Sequence, residues 1–174
     1  YGVTNGNNVF VALWNDNVIK STDNGSNWTT ITTVNLNDVA FGDSTFVGCG
    51  AEGAIYSSTD NGSSWTSRSS GVTASTLDGI TFGNNQFFSV GSSGELIKST
   101  NNGITWSTDL DSTVSSHLYS IAFGNNTFVG VGYKTVIVST DNGSTFMEKE
   151  NTLTFNDVTF GNGVFVAVGD NEII

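Results

Sequence analysis

The chain is 174 residues long, a single-domain length that can bury a sizeable core. Only 12% of its residues are charged, Gly reaches 21 and Pro is absent, a composition suited to many short strands joined by tight turns. Five Lys and Arg against sixteen Asp and Glu give a formal charge of −11. Such a surface repels phosphate backbones and anionic membranes, which argues against nucleic-acid partners.

No apolar run approaches the ~18 residues of a membrane span, so no insertion into a bilayer is expected. The chain opens on Tyr1 with neither an initiator Met nor a signal segment, which reads as a processed or excised boundary.

In chain order, the first element is "NGNNVFVALW" from Asn5, followed by the polar turn "STDNGSNW", Ser21 to Trp28. The second unit shows the pattern most fully. "LNDVAF" is a short strand that places Val39 and Phe41 on one face, because strand side chains alternate. "GDS" is a hairpin turn, and "TFVGCG" and "AIYSST" are the next two strands. A second polar turn follows, "STDNGSSW" (Ser58 to Trp65), and "SWTSRS" supplies a fourth strand. The third unit repeats "FGNNQFFSVG" and "STNNGITW" (Ser99 to Trp106), and the fourth "FGNNTFVGVG" and "STDNGSTF" (Ser139 to Phe146). The chain closes with "FGNGVFVAVG" and "DNEII". No window holds a 3.6-residue period, so essentially no helix is expected.

The central aromatics Phe10, Phe46, Phe87, Phe128 and Phe165 are spaced 36, 41, 41 and 37 residues apart. The third residue of the polar turn, at Asp23, Asp60, Asn101 and Asp141, is spaced 37, 41 and 40. Two independent markers with one period indicate stacked supersecondary units such as propeller blades. The expected fold is all-β: one β-propeller domain over 1–174, built of four-stranded antiparallel blades. Its units fall at about 1–35, 36–72, 73–117, 118–154 and a partial 155–174. The pattern fits a five-bladed ring whose last blade is incomplete, or part of a longer array; the compact ring is the favoured expectation. The lone Cys49 aligns with Val90, Val131 and Val168, so it is expected as a buried small hydrophobe.

The eight-residue turn resembles the Asp-box, or BNR repeat, of sialidase-type β-propellers, and the "FGNGVFVAVG" phrasing resembles repeats of bacterial and phage surface proteins. The resemblance covers nearly the whole chain. In that light Asp23, Asp60, Asn101 and Asp141 lock their turns by accepting backbone N–H groups ahead of them. Gly25, Gly62, Gly103 and Gly143 supply the left-handed position. Trp28, Trp65, Trp106 and Phe146 are plugs buried between blades. Asn101 and Phe146 depart from the pattern yet keep an acceptor and an apolar plug. "DNG" also resembles the start of a calcium loop, but the later acidic ligands and closing Glu are missing, so no metal or other cofactor is expected. Asn24, Asn27, Asn61, Asn125 and Asn142 lie in N-x-Ser/Thr sequons, open to glycosylation only where the chain meets that machinery.

In such a blade the polar turns lie on one face, and the second-to-third turns and blade connections on the other. Loop variation on a rigid scaffold is where recognition resides, so the second face is the expected binding face. Residues that break the repeat there are Trp14, in the place of Gly50, Gly91, Gly132 and Gly169, with Asp16, Arg68, Tyr133 and Lys134. These five are the candidate ligand-binding residues: aromatics to stack, cations to donate, Asp16 to accept. His117 reads as a solvated loop residue, and Asp109 and Asp111 as a solvated acidic loop.

Sialidase-type enzymes resemble one another in clamping a substrate carboxylate with three Arg, beside a Tyr/Glu pair and an Asp. Arg68 is the only Arg here, so that clamp cannot be built. Asp38 and Asp157 are the only carboxylates at equivalent inner-strand positions, with Gly79 and Ser120 in the matching places, and no catalytic residue is assigned. The expected function is non-catalytic recognition of a glycan or protein surface, outside the cell, on its surface or on a virion, within a larger or multivalent assembly. The alternatives are a glycoside hydrolase of sialidase-like fold and an assembly-factor scaffold.

Overall fold

The computed structural model describes residues 2–108, 114–150, 152–169 and 172–173. Its strands form five separate antiparallel sheets, each a meander in chain order. The first holds β1 (Val3–Gly6), β2 (Val9–Trp14), β3 (Asn17–Ser21) and β4 (Thr29–Thr33). The second holds β5 (Leu36–Gly42), β6 (Thr45–Gly50), β7 (Ile55–Ser58) and β8 (Thr66–Arg68). The third holds β9 (Leu77–Gly83), β10 (Gln86–Gly91) and β11 (Leu96–Ser99), with a bridge between Lys98 and Ser107 at its outer edge. The fourth holds β12 (Leu118–Gly124), β13 (Thr127–Gly132), β14 (Thr135–Ser139) and β15 (Met147–Glu150). The fifth holds β16 (Phe155–Gly161), β17 (Val164–Gly169) and β18 (Glu172–Ile173). Among the described residues the only helical geometry is a pair of three-residue 3-10 turns, Ala51–Gly53 and Ser92–Gly94.

The first hairpin of every blade turns on two left-handed residues: Asn7–Asn8, Asp43–Ser44, Asn84–Asn85, Asn125–Asn126 and Asn162–Gly163. Positive φ at both positions matches the right-handed twist of the flanking strands, and Asn, Asp and Gly reach it at least cost.

The repeated phenylalanines explain how one blade stacks on the next. Within a sheet the rings pair across the first two strands, with centroids 4.6 Å apart for Phe41–Phe46, 4.7 Å for Phe82–Phe87 and 4.8 Å for Phe160–Phe165. Between sheets, Gly6, Gly42, Gly83 and Gly124 end their inner strands directly against the rings of Phe41, Phe82, Phe123 and Phe160 of the following sheet. A side chain on any of these glycines would occupy the ring's place.

Four apolar cores lie between successive sheets. Val9, Val11 and Leu13 of the first sheet meet Leu36, Val39 and Phe46 of the second. Val47, Cys49 and Ile55 meet Leu77, Ile80 and Phe87. Phe88 and Leu96 meet Leu118, Ile121 and Phe128, and Val131 meets Phe155 and Val158. Cys49 is fully buried, and that burial pushes its thiol pKa well up, so it behaves as a small apolar residue. Among the described residues no apolar cluster joins the fifth sheet to the first. The five sheets, the last three-stranded among the described residues, match the expected five blades with an incomplete last one, and a core that would close a ring of five is not among the described clusters.

Candidate functional site

The polar turns use their side chains on themselves. In the second blade, Asp60 Oδ1 accepts the backbone N–H groups of Ser63 at 3.0 Å and Ser64 at 2.9 Å, while Oδ2 accepts the Ser64 hydroxyl at 2.6 Å. Asp23 and Asp141 do the same with Asn27 and Thr145. Asn101 accepts the Thr105 N–H at 2.9 Å but donates its amide to the Thr105 hydroxyl. The leading serine completes each turn. Ser21, Ser58, Ser99 and Ser139 each accept the N–H of the left-handed glycine at 2.9 Å and donate to the Asp or Asn oxygen. Hydrogen bonds to the charged form hold Asp23, chiefly from Asn27, and Asp60, chiefly from Ser64, at a pKa of about 2. The bonds from Thr145 hold Asp141 well below the usual carboxylate range.

The aromatic plugs divide. Phe146 is buried, and Trp65 and Trp106 are half-buried against the preceding sheet. Trp28, expected between blades, is 40% exposed, because the first sheet has no sheet on that side. Its Nε1 donates to the carbonyl of Gly25 at 3.0 Å.

On the opposite face the inner strands β1, β5, β9, β12 and β16 begin side by side. They line a channel of about 390 Å³ and, at its mouth, a polar cavity of about 370 Å³. Asn37, Asp38, Asp78, Tyr119, Ser120 and Asp157 line the mouth. Asn37 donates to the Leu77 carbonyl at 2.9 Å and to Asp78 Oδ1 at 3.3 Å. Asp78 Oδ2 lies 2.7 Å from His117 Nε2, and the imidazole packs against the Tyr119 ring at a 39° tilt with centroids 4.5 Å apart. His117, expected as a solvated loop residue, is therefore a bridge from the blade connection to the mouth.

Asp38 and Asp157 both reach this space, and both are engaged. Asp38 accepts the N–H of Val39 at 2.8 Å and, across to the next blade, of Ile80 at 3.0 Å. Asp157 accepts the N–H of Val158 at 2.9 Å and the Ser120 hydroxyl at 2.7 Å, again between neighbouring blades. Burial pushes the Asp38 carboxyl up to about 6 against those two bonds, and the charge on Asp157 adds to the rise. The two carboxylates thus act as staples between inner strands.

The five candidate residues are only partly gathered. Trp14, 58% exposed, and Asp16 line one cavity of about 270 Å³ with Asn17, Asn35 and Asn37, beside the mouth. Asn37 lines both spaces. Tyr133 and Lys134 form the two-residue turn between β13 and β14, with the ammonium 5.3 Å from the ring centroid. Arg68 is half-buried on the outer strand β8, its Nε donating to the Ser57 hydroxyl at 2.8 Å. None of the last three lines the mouth or the Trp14 cavity. Asp109 and Asp111 lie outside the described residues. Among the described residues no group of three or more His, Cys, Asp or Glu is placed to hold a metal ion.

The residues that sequence reasoning missed are Asn37, Asp78, Tyr119 and Asn156. They occupy one column of the repeat, immediately before the column of Asp38, Gly79, Ser120 and Asp157. The variation from Asn to Asp to Tyr to Asn was the available signal.

No protein-family model matches the chain, and no curated protein matches it. Solved structures do. YCF48 from Cyanidioschyzon merolae aligns with a TM-score of 0.69 and 15% identity, over 96% of this chain and 63% of that one. YCF48 bound to D1 peptide gives 0.69 and 14%, over 97% and 59%. The nidogen/laminin complex gives 0.74 and 11%, over 97% and 71%. The chain thus spans under two thirds of the YCF48 chains. At such identities the likeness is one of fold, and with the five stacked antiparallel sheets it makes this an all-β, β-propeller chain.

Proposed function

We propose that the chain is a non-catalytic recognition propeller of the Asp-box type that binds a polypeptide across the face opposite its polar turns. The observation that carries the reading is the mouth. Four inner strands bring Asn37, Asp78, Tyr119 and Asp157 to one polar opening, flanked by variable connections. The turn face, by contrast, satisfies its polar groups internally. Polar side chains around an aromatic suit the amides and side chains of an extended peptide, and the formal charge of −11 favours a cationic one. The names of the similar structures, which speak of a D1 peptide and of a laminin complex, agree with peptide and protein binding in this fold.

A glycan is the second reading, favoured by Trp14. An exposed indole beside Asp16, Asn17 and Asn35 combines a stacking plate with hydroxyl-bonding groups. A single such site binds on the order of millimolar and depends on several copies for avidity, which fits a life on a cell surface or virion.

The test is paired screening of a peptide array and a glycan array with wild type, Tyr119→Ala and Trp14→Ala. Capture of Lys- and Arg-rich peptides that Tyr119→Ala abolishes supports the first reading. Glycan capture that only Trp14→Ala abolishes supports the second. Binding that survives both changes and is lost in a variant of the turns places recognition on the other face and defeats both.

A further inference from the structure

The two ends of the blade stack carry matching halves of the inter-blade interface. Strand register makes Val3 equivalent to Val39, Ile80, Ile121 and Val158. Those four are 4–6% exposed, whereas Val3 is 64% exposed. On the other end, Val168 is equivalent to Cys49, Val90 and Val131, which are at most 1% exposed, and is itself 38% exposed. Val164 stands on the same side of β17 and is also exposed. Gly161, which should receive the next phenylalanine ring as Gly124 receives Phe160, faces nothing within 4 Å. At the first sheet, Gly25 touches only its own Trp28, while Gly62, Gly103 and Gly143 lie against Val11, Val47 and Phe88 of the sheet before them.

We infer that both faces are filled by further blades of this same repeat in the same polypeptide. The first of them presents an inner-strand Phe to Gly161 and a turn glycine to β17. The last closes the ring on Val3 and Trp28. The four complete cores define what these blades must offer, and continuity with those cores identifies the occupant. The similar structures agree in scale. This chain fills 59–71% of them, which leaves room for about two to three more units of a forty-residue repeat. A whole second copy would be too large for that gap.

Trp14 bears on the route by which an extra blade can join. At Gly50, Gly91, Gly132 and Gly169 a Cβ would strike the carbonyl of Asn35, Thr76, His117 or Thr154, where the incoming connection crosses β6, β10, β13 or β17. Trp14 holds the same position in β2 and carries a full side chain. An incoming connection that crossed β2 as it crosses the other second strands would meet that side chain, so the blades are added after β18 in the experiment.

The experiment extends the full chain after Ile174 with residues 98–117 and then 36–108, completing the fifth blade and adding two. Both chains are labelled with 5-fluorotryptophan, and the Trp28 19F resonance is identified with Trp28→Phe. In the extended chain the Trp28 resonance should lose its sensitivity to solvent. Gly161→Ala, which leaves the melting temperature of the 174-residue chain unchanged, should lower that of the extended chain by several degrees. An equally solvent-sensitive Trp28 and a silent Gly161→Ala in the extended chain overturn the inference. So does a 174-residue chain that dimerises and protects Trp28 as concentration rises, because the occupant is then a second copy.

Discussion

Gly83 lies against the ring of Phe123 with no space for a Cβ between them. That contact, repeated at Gly6, Gly42 and Gly124, sets how closely each inner strand follows the last. Gly83→Ala should therefore cost about 1–3 kcal/mol, the range for overpacking a filled core. Gly161→Ala, with nothing in front of it, should stay within about 0.5 kcal/mol. Urea unfolding of the two variants checks both values, and equal losses would contradict the stacking described.

The polar turns should depend more on their serine than on their aspartate. The N–H of Gly62 is buried and bonds only the Ser58 hydroxyl among the contacts described, whereas the donors that reach Asp60 are exposed and can turn to water. Ser58→Ala should cost about 1–3 kcal/mol, the penalty for an unsatisfied buried donor, and Asp60→Ala about 1 kcal/mol. Denaturation midpoints measured side by side would reverse this order if the carboxylate were the main lock.

Position along the stack should decide the tryptophans. Trp106→Ala removes a half-buried ring from an inter-blade core and should cost about 2–4 kcal/mol. Trp28→Ala removes an exposed ring and should cost under about 1 kcal/mol. Acrylamide should quench Trp28 more readily than Trp106, as the loss of signal in each variant will show.

Asp38 gives the stability a pH dependence opposite to that of the turn aspartates. Its folded pKa of about 6 lies above the unfolded value near 3.8, so its contribution is fully present below pH 4 and is lost as pH rises through 6. Asp60, held at about 2, contributes above pH 4 and loses that contribution as pH falls through 2. The melting temperature of Asp38→Asn relative to wild type should thus rise between pH 4 and pH 7, by the equivalent of at most about 3 kcal/mol. A difference that does not change with pH would mean that Asp38 is charged throughout.

The repeat was legible because its chemistry is local. Phe10, Phe46, Phe87, Phe128 and Phe165 mark the second strands, and the left-handed turns need Asn and Gly wherever they occur. Burial between blades was less legible, since the same tryptophan is covered at Trp106 and open at Trp28 according to what stands beside it. The site was least legible. Asp78, His117 and Tyr119 meet only because two inner strands and a connection converge, and a single repeat unit carries no trace of that meeting. Arg68 shows the converse: it breaks the pattern in sequence, yet its guanidinium is tied to Ser57 on the blade's outer edge.

The claim that recognition lies on the face opposite the polar turns is tested most directly by hydrogen–deuterium exchange of the chain with and without a captured peptide. Binding at the mouth should slow exchange at the starts of the inner strands, around Asn37–Val39, Asp78–Ile80 and Tyr119–Ile121, and leave the turns at Ser21–Trp28 and Ser58–Trp65 unchanged. Protection confined to those turns, with the strand starts exchanging as before, would contradict the account.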